Sequence, residues 1–279
     1  MHHNVSSLRQ FLLESQALVV LTGAGISTAS GIPDYRDDNG DWKHQQPIQF
    51  PDFVKSAAIR RRYWTRSYVG WRRFGNAQPN AAHQALAELE SHGTIRTLIT
   101  QNVDQLHRRA GSQRVIDLHG DLTIVRCLDC NSLESRFEFQ VRLERANDGW
   151  ESRFVQLKPD GDAELEPGSD AGFVVPACAD CGGTLKPDVV MFGESVPRER
   201  VQTASAEIAE ADGLLVVGSS LMLYSGFRFA RQAAQKNVPI VIVNRGRTRA
   251  DAFAALKVEV DCTVALPAAT AQLDVADSR

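Results

Sequence analysis

Short hydrophobic runs alternate along the chain with segments of helical periodicity. The run at 17–22 is continuously apolar, too short for a helix and typical of a buried parallel strand. Further buried strands are predicted at 95–100, 115–118, 213–217, 238–243 and 258–264. Helical patterns cover 4–16, 81–91, 102–110, 198–211 and 224–236, and 52–75 is predicted to form two short helices. Strands that alternate with helices imply crossover connections, so the sequence predicts an α/β fold with a doubly wound, Rossmann-like parallel sheet.

A small inserted module interrupts this alternation. Between about 127 and 184 the composition becomes polar, and 158–172 is acidic and rich in Gly and Pro, which predicts a mobile loop. We therefore expect a single domain over 1–279. Its Rossmann-like part covers about 1–50, 92–120 and 186–279, its helical part 51–91, and its inserted module 121–185.

Composition and charge narrow the class of protein. Of the 279 residues, 43% are hydrophobic and 23% are charged, which is ordinary for a globular chain. A net charge of -3 gives no electrostatic reason to bind nucleic acid or an anionic membrane. No apolar run reaches the roughly 18 residues of a membrane span, and the first residues do not resemble a signal peptide. A cytoplasmic location is expected.

A glycine turn, Gly23-Ala24-Gly25, follows the first predicted strand, and a helix is predicted to begin soon after it. Glycines there let a backbone approach a pyrophosphate, but the third glycine of the dinucleotide fingerprint and the acidic residue about 20 positions on are missing. From this fragment alone, a tight turn without a ligand stays open.

The longer stretch GAGISTASGIPDYR, from Gly23 to Arg36, resembles the NAD-binding signature of the sirtuin family of NAD-dependent protein deacylases. The resemblance implies that NAD is bound by residues of this stretch, namely Gly23, Ala24, Gly25, Ser27, Asp34, Tyr35 and Arg36. Many sirtuins have Phe in the place of Tyr35, and the Tyr form is similar to the class II branch.

A second polar run, TQNVDQLH from Thr100 to His107, follows another predicted strand and resembles a second sirtuin motif. The resemblance implies that Gln101 and Asn102 bind the ribose, that Asp104 binds the nicotinamide carboxamide, and that Asn102 takes part in catalysis. Asn102 or Asp104 could also cap the next helix, and both roles are compatible.

His119 is the best candidate for a general base among the seven histidines. It follows the predicted strand 115–118, and an imidazole titrates near pH ~6.5. The His-Gly pair before a cysteine knuckle resembles the sirtuin catalytic histidine. His83 also fits the family and is interpreted as structural.

The resemblance implies a reaction in which NAD is a co-substrate. The acyl-lysine carbonyl oxygen attacks the nicotinamide ribose, nicotinamide leaves, and His119 acts as a base on the ribose hydroxyls. The products are free lysine and O-acyl-ADP-ribose, and the partners are acyl-lysine proteins.

Four of the five cysteines form two C-x-x-C pairs, Cys127/Cys130 and Cys178/Cys181. Two such pairs supply the four soft ligands of a tetrahedral Zn²⁺, and with all positions taken the ion is structural. A redox dithiol is disfavoured because neither pair opens a helix in a thioredoxin-like context.

The resemblance extends through the second half of the chain. The stretch 186–194 is similar to the sirtuin segment that pairs with the substrate peptide, which implies that Val190, Phe192 and Gly193 bind substrate. Further cofactor contacts are implied at strand ends and near the last predicted strand, at Gly218, Ser219, Ser220, Asn244, Arg245, Gly246 and Cys262.

The preferred acyl group stays open. Met191 stands where many relatives have an aromatic residue, and Ser67 and Gly70 stand where desuccinylating relatives have Tyr and Arg. Other functions are also open: mono-ADP-ribosyl transfer through the same pocket, or a non-catalytic NAD-responsive module. An oxidoreductase is disfavoured because the ribose-binding acid is missing.

Overall fold

A computed structural model describes residues 2–43, 47–150, 154–158, 160–166 and 168–271. The helices, in chain order, are α1 (His2–Glu14), α2 (Phe50–Lys55), α3 (Ala57–Phe74), α4 (Ala81–Ser91), α5 (Leu106–Ala110), α6 (Arg136–Ala146), α7 (Arg198–Ala209), α8 (Tyr224–Gln235) and α9 (Cys262–Thr270). The strands are β1 (Leu18–Thr22), β2 (Ile95–Thr100), β3 (Val115–Asp117), β4 (Gly120–Cys127), β5 (Leu133–Ser135), β6 (Phe154–Leu157), β7 (Ala163–Leu165), β8 (Leu185–Val189), β9 (Gly213–Val217), β10 (Ile240–Val243) and β11 (Leu256–Val258).

Six strands form one parallel sheet in the order β11-β10-β9-β1-β2-β3. The chain order runs outwards from β1 in both directions, so the sheet reverses its winding between β1 and β9. The predicted doubly wound fold is confirmed. In such sheets ligands bind outside the carboxyl ends of the strands at this reversal point.

Both faces of the sheet are covered by helices, which explains the unbroken apolar runs. In β1, Leu18 and Val20 pack towards α1, α4 and α9, whereas Val19 and Leu21 pack towards α7 and α8. All five residues of β1 and all five of β9 are buried. The carboxyl ends of these strands are therefore held on a rigid base.

The inserted module contains an antiparallel sheet, in the order β5-β4-β8, the hairpin β6–β7 and helix α6. Its core is shared with α2 and α3, where Phe53 and Trp64 pack with Phe139 and Phe173. The sequence predicts a mobile loop over 158–172; the described part of that stretch contains β7, and Asp162 is buried.

Three element predictions differ from the structure. A strand over 258–264 is wrong beyond Val258, because Asp261 accepts a hydrogen bond from the Thr263 amide at 2.9 Å and starts helix α9. A helix over 102–110 is confirmed only from Leu106, since Gln105 has a left-handed backbone, with φ 60°. The region 52–75 does form two helices, but α3 is 18 residues long rather than short.

Among the helices of the described ranges, none is both long and apolar enough to cross a membrane.

Candidate active site

A cleft of about 300 Å³ opens where the sheet reverses its winding. Its lining includes most of the predicted site residues: Gly23, Ala24, Gly25, Ser27, Asp34, Tyr35, Arg36, Gln101, Asn102, Asp104, His119, Val190, Phe192, Gly193, Gly218, Ser219, Ser220, Asn244 and Arg245. Residues far apart in the chain meet there because parallel strands end at the same edge.

The loops after β1 and β9 touch through their backbones. The Gly25 amide donates to the Gly218 carbonyl at 2.8 Å, and a Cβ at Gly25 would lie 2.8 Å from that oxygen. Gly218 has φ +58°, and a Cβ there would lie 2.3 Å from the Ile26 nitrogen. Glycine is thus required at both positions because a side chain at either would block this contact between the two loops.

The α-helix expected soon after the glycine turn does not form there. Two short 3-10 turns, Ala24–Ile26 and Thr28–Ser30, occupy the place instead. Their geometry turns the Ser27 side chain inwards, where it is fully buried.

Ser27, Asn102 and Asp104 form a buried hydrogen-bond network. The Ser27 hydroxyl donates to Asp104 Oδ2 at 2.7 Å and accepts from Asn102 Nδ2 at 3.1 Å. Asp104 Oδ1 accepts from the Leu106 amide at 2.9 Å, so this carboxylate also caps α5. Burial raises the pKa of Asp104, while these hydrogen bonds oppose the rise. Asp104 therefore belongs to the predicted site and also bonds the first turn of α5.

Gln101 connects two strand ends. Its Nε2 donates to Ser219 Oγ at 2.7 Å and to the Thr22 carbonyl at 3.2 Å. A Cβ at Gly226 would lie 2.5 Å from Gln101 Oε1, so the first turn of α8 closes over this amide. The side chain is therefore held across the floor of the cleft.

His119 is held by both ring nitrogens. Nδ1 is 2.9 Å from the Gln101 carbonyl, which only accepts, so Nδ1 carries the proton and Nε2 is the basic atom. Nε2 lies 2.9 Å from Ser225 Oγ, which therefore donates to it. Burial lowers the pKa of His119 to about 4, with smaller contributions from the charges of Arg200 and Arg228. The ring is neutral at pH 7 and available as a base.

The residue after His119 links the cleft to the inserted module. The His119 carbonyl accepts from the Val190 amide at 2.7 Å. Gly120 has φ +91°, and a Cβ there would lie 2.1 Å from the Asp188 oxygen. Only glycine allows β4 and β8 to approach so closely at this point.

Three aromatic rings of the cleft lining contact one another, and the charged residues Asp34 and Arg36 line the cleft beside them. Tyr35, Trp42 and Phe192 make edge contacts, with ring centroids 5.6–6.1 Å apart. The Arg36 guanidinium lies 4.2 Å from the Trp42 centroid, and Asp34 pairs with Lys43 at 2.6 Å. Phe192 is also fixed by its backbone, since its carbonyl accepts from the Phe50 amide at 2.7 Å.

Two predicted cofactor residues lie outside the cleft lining. A Cβ at Gly246 would lie 2.4 Å from the Asp38 oxygen, so this glycine packs against a neighbouring loop. Cys262 begins α9 with its Sγ 3.9 Å from the Gly25 carbonyl. Burial raises the pKa of Cys262 to about 12.

The four cysteines of the two pairs converge in the inserted module. Their sulfur atoms all lie within 4.8 Å of one another. Cys127 and Cys181 Sγ are 3.5 Å apart, and Cys130 and Cys178 Sγ are 3.8 Å apart. Four thiolates about 2.3 Å from a tetrahedral Zn²⁺ stand about 3.8 Å from one another, so the cluster fits one structural zinc ion.

The lining also contains residues with polar groups that the motifs do not indicate, among them Ser225 and Asp160. Ser225 lies on the first turn of α8, and only the tertiary fold brings it to His119. Asp160 lies in the stretch that the sequence predicts to be a mobile loop. No periodicity or spacing marks either residue.

Comparison with known proteins agrees with this geometry. The sequence profile of the Sir2 family matches residues 23–225. The chain is 56% identical over 260 residues to NAD-dependent protein deacetylase 2 of Bradyrhizobium diazoefficiens, covering 93% of this chain and 95% of that protein. It is 48% identical over 266 residues to the mitochondrial NAD-dependent protein lipoamidase sirtuin-4 of Bos taurus, covering 94% of this chain and 84% of that protein.

Solved structures show the same fold. A Sir2 complex with a p53 peptide and NAD⁺ superposes with a TM-score of 0.80 at 31% identity, covering 97% of this chain and 99% of that one. A second Sir2 complex holds a deacetylated p53 peptide and 3′-O-acetyl-ADP-ribose, with a TM-score of 0.77 at 31% identity, covering 96% of this chain and 98% of that one.

Proposed function

The chain belongs to the Sir2 family, and from this premise we propose that it is an NAD-dependent protein deacetylase whose general base is His119. It removes acetyl groups from protein lysines and consumes NAD. The observation that carries the assignment is the neutral imidazole of His119, held with Nε2 as its basic atom in the cleft beside the Ser27–Asn102–Asp104 network.

NAD supplies the ADP-ribose that accepts the acyl group. The cleft suits such a molecule because loop backbones without side chains, at Gly23, Gly25 and Gly218, line it where a pyrophosphate would approach. We assign NAD binding to the cleft residues that the resemblance implies, from Gly23 to Arg36, at Gln101, Asn102 and Asp104, and at the loops after β9 and β10. Gly246 and Cys262 would act through packing against these loops.

His119 would accept a proton from a ribose hydroxyl through Nε2. The Gln101 carbonyl holds the ring in the required tautomer, and the Ser225 hydroxyl donates to the lone pair of Nε2. Ser225 is thus a positioning residue. A positioned base contributes about 10²–10⁴-fold to turnover.

Acetyl-lysine would enter beside the segment that follows β8. Val190 and Phe192 are fixed by hydrogen bonds to His119 and Phe50, so this segment is ordered before substrate arrives. Lys186 in β8 and Glu194 at the end of this segment form an ion pair, with Nζ and Oε2 3.0 Å apart. Preorganised backbone lowers the entropic cost of adding a peptide as a further strand. The four-cysteine zinc stabilises the module from which this segment extends.

Two finer assignments belong to the same proposal. We place the chain in the class II branch, which Tyr35 and the similarity to bovine sirtuin-4 support. We also treat 1–279 as one catalytic domain, with Rossmann-like parts at about 1–50, 92–120 and 186–279, a helical part at 51–91 and the zinc module at 121–185.

Mass spectrometry of one acetyl-lysine peptide, with and without NAD, tests the function. We expect deacetylated peptide, nicotinamide and O-acetyl-ADP-ribose to form together, only when both substrates are present. His119→Ala should keep its melting temperature and lose about 10²–10⁴-fold of turnover, whereas His92→Ala, at an exposed position, is the matched control. Normal turnover by His119→Ala, or nicotinamide release that needs no acylated peptide, would contradict the proposal.

A further inference from the structure

One wall of the cleft is apolar. The lining includes residues that pack together in one apolar cluster on this side, namely Ile32, Phe74, Val103, Leu122 and Val189. Tyr63 and Met191 also line the cleft and belong to the module core. Such a wall suits the hydrocarbon part of an acyl group.

Asp160 brings a carboxylate to this apolar wall. The residue is half-buried and lines the cleft. Its neighbour Gly161 lies on the wall itself, since a Cβ there would be 2.5 Å from Leu122 Cδ2 and 3.1 Å from Phe74 Cδ2. The Asp160 side chain is therefore adjacent to the space that an acyl group would fill.

The turn that carries Asp160 is fixed against α3. A Cβ at Gly70 would lie 2.2 Å from the Gly161 carbonyl, so any larger side chain at position 70 would displace the turn. Within the turn, the Asp162 amide donates to Asp160 Oδ1 at 3.2 Å, and the Lys158 amide donates to the Asp162 carbonyl at 2.7 Å. Asp160 is thus held by the backbone on both sides.

Two nearby cations, Arg66 and Lys158, act on Asp160 through their charges, and the contacts of Arg66 go to other groups. Arg66 Nε lies 3.9 Å from Asp162 Oδ2 and donates to the Ala163 carbonyl at 3.2 Å. Asp162 is 2% exposed, and its Oδ1 has no hydrogen-bond partner among the described residues. Burial first, and then the charges of Asp160 and Asp162, raise the pKa of Tyr35 well above its ordinary value. Burial raises the pKa of Asp160, while the positive charges of Arg66 and Lys158 oppose the rise and favour the carboxylate.

An acyl chain that fills this space removes water from the Asp160 carboxylate. A plain hydrocarbon leaves the carboxylate without a replacement partner, which opposes binding. A hydroxyl on the acyl chain can donate to it, and hydrogen bonds to charged groups are the stronger kind. A terminal carboxylate adds repulsion between like charges.

We propose, on the premise of the deacylase function above, that Asp160 makes this cleft select acyl groups that carry a hydrogen-bond donor. Among acyl groups of four carbons, 3-hydroxybutyryl is preferred over butyryl, and succinyl is excluded. Asp160 is then a specificity-determining residue of the acyl site.

The experiment uses one peptide sequence with acetyl, butyryl, 3-hydroxybutyryl or succinyl on its lysine. Binding to the full protein is measured by fluorescence anisotropy, and kcat/KM with NAD by mass spectrometry. Asp160→Asn keeps the shape and removes the charge, and Asp148→Asn makes the same charge change at an exposed position of the module. Melting temperatures report whether each variant folds, and Asp160→Ser serves as a second variant.

We expect the wild type and Asp148→Asn to bind 3-hydroxybutyryl peptide about tenfold more tightly than butyryl peptide, the change that one hydrogen bond to a charged group supplies. Asp160→Asn should raise the succinyl-to-butyryl affinity ratio about tenfold or more. If both ratios are the same in Asp160→Asn and Asp148→Asn, the selectivity proposal is wrong, even with normal deacetylation. If the ratios shift in binding but no peptide is turned over, the selectivity stands and the proposed catalytic function fails.

Discussion

The sheet edge around the cleft and the four-cysteine module are held together by different interactions. At the sheet edge, glycine backbones touch and three buried polar side chains satisfy one another, as in the Ser27–Asn102–Asp104 network. In the module, four sulfur atoms within 4.8 Å of one another need an ion between them. Both regions meet at His119, whose carbonyl pairs with Val190.

This difference predicts different weaknesses. The sheet edge depends on protonation states, because its histidines are buried and neutral. The module depends on a metal, because thiolates packed this closely repel each other without one. We therefore expect a chelator to unfold the four-cysteine module and acid to destabilise the region around the parallel sheet.

Removal of zinc should have the largest effect. Cys178→Ser leaves three ligands, so we expect loss of zinc, unfolding of the module and loss of turnover, since metal binding contributes on the order of 10 kcal/mol to the folding of small zinc sites. Metal analysis, circular dichroism and the peptide assay measure this. Cys262→Ser, outside the cluster, should keep its zinc. A Cys178→Ser protein with an unchanged melting temperature would show that the sheet half alone supports the module.

Acid should destabilise the sheet half. His83 is fully buried beside His107, with ring centroids 4.8 Å apart. Burial lowers the pKa of His83 to about 4 and lowers that of His107 well below its ordinary value. The unfolded chain binds these protons near pH ~6.5 and the folded protein does not, so the free energy of unfolding falls as the pH drops from about 6.5 to 4, by roughly 3 kcal/mol for His83.

His83→Gln isolates this contribution. Glutamine can still accept from the Asn80 amide in the helix cap, where His83 Nδ1 is 3.3 Å away. Urea unfolding at several pH values should give a shallower pH dependence for His83→Gln than for the wild type. Parallel curves would mean that His83 does not titrate differently in the two states.

Loss of a single hydroxyl from the buried network should have a smaller effect. Ser27→Ala leaves Asp104 Oδ2 and Asn102 Nδ2 without their shared partner, which should cost about 1–3 kcal/mol of stability and raise KM for NAD. Urea unfolding and NAD titration measure the two effects. Ser91→Ala, whose exposed hydroxyl bonds only locally to Glu88, is the control and should change neither. Equal behaviour of the two variants would remove the network from this role.

Ser225→Ala should have the smallest effect. Without the donor to Nε2 the neutral form of His119 is less stabilised, so its pKa should rise from about 4 and the acid limb of kcat/KM should move to higher pH by about one unit. Ser225→Thr keeps the hydroxyl and should keep the profile. A structural role alone would lower turnover at every pH without moving the limb.

The pattern of hydrophobic positions along the chain predicts much of the fold. The apolar runs at β1, β9 and β10 predict their strands because all of these residues are buried, so apolar side chains occupy successive positions. The errors lie where a single side chain ends or begins an element. Asp261 caps the start of α9 within a stretch whose pattern predicts a strand. Gln105 has a left-handed backbone, so α5 begins only at Leu106.

The motifs likewise indicate which residues belong to the site, but not which contacts they make with one another. By itself the sequence determined the family, the polar residues at the ends of predicted strands and the four metal ligands, because motifs and their local spacing can be identified along the chain. Only the tertiary structure decided that Gly25 is needed for contact with Gly218, that Ser225 holds His119 and that Asp160 enters the cleft. These contacts join residues distant in the chain, and their distances follow from how helices and loops pack, which no local pattern encodes.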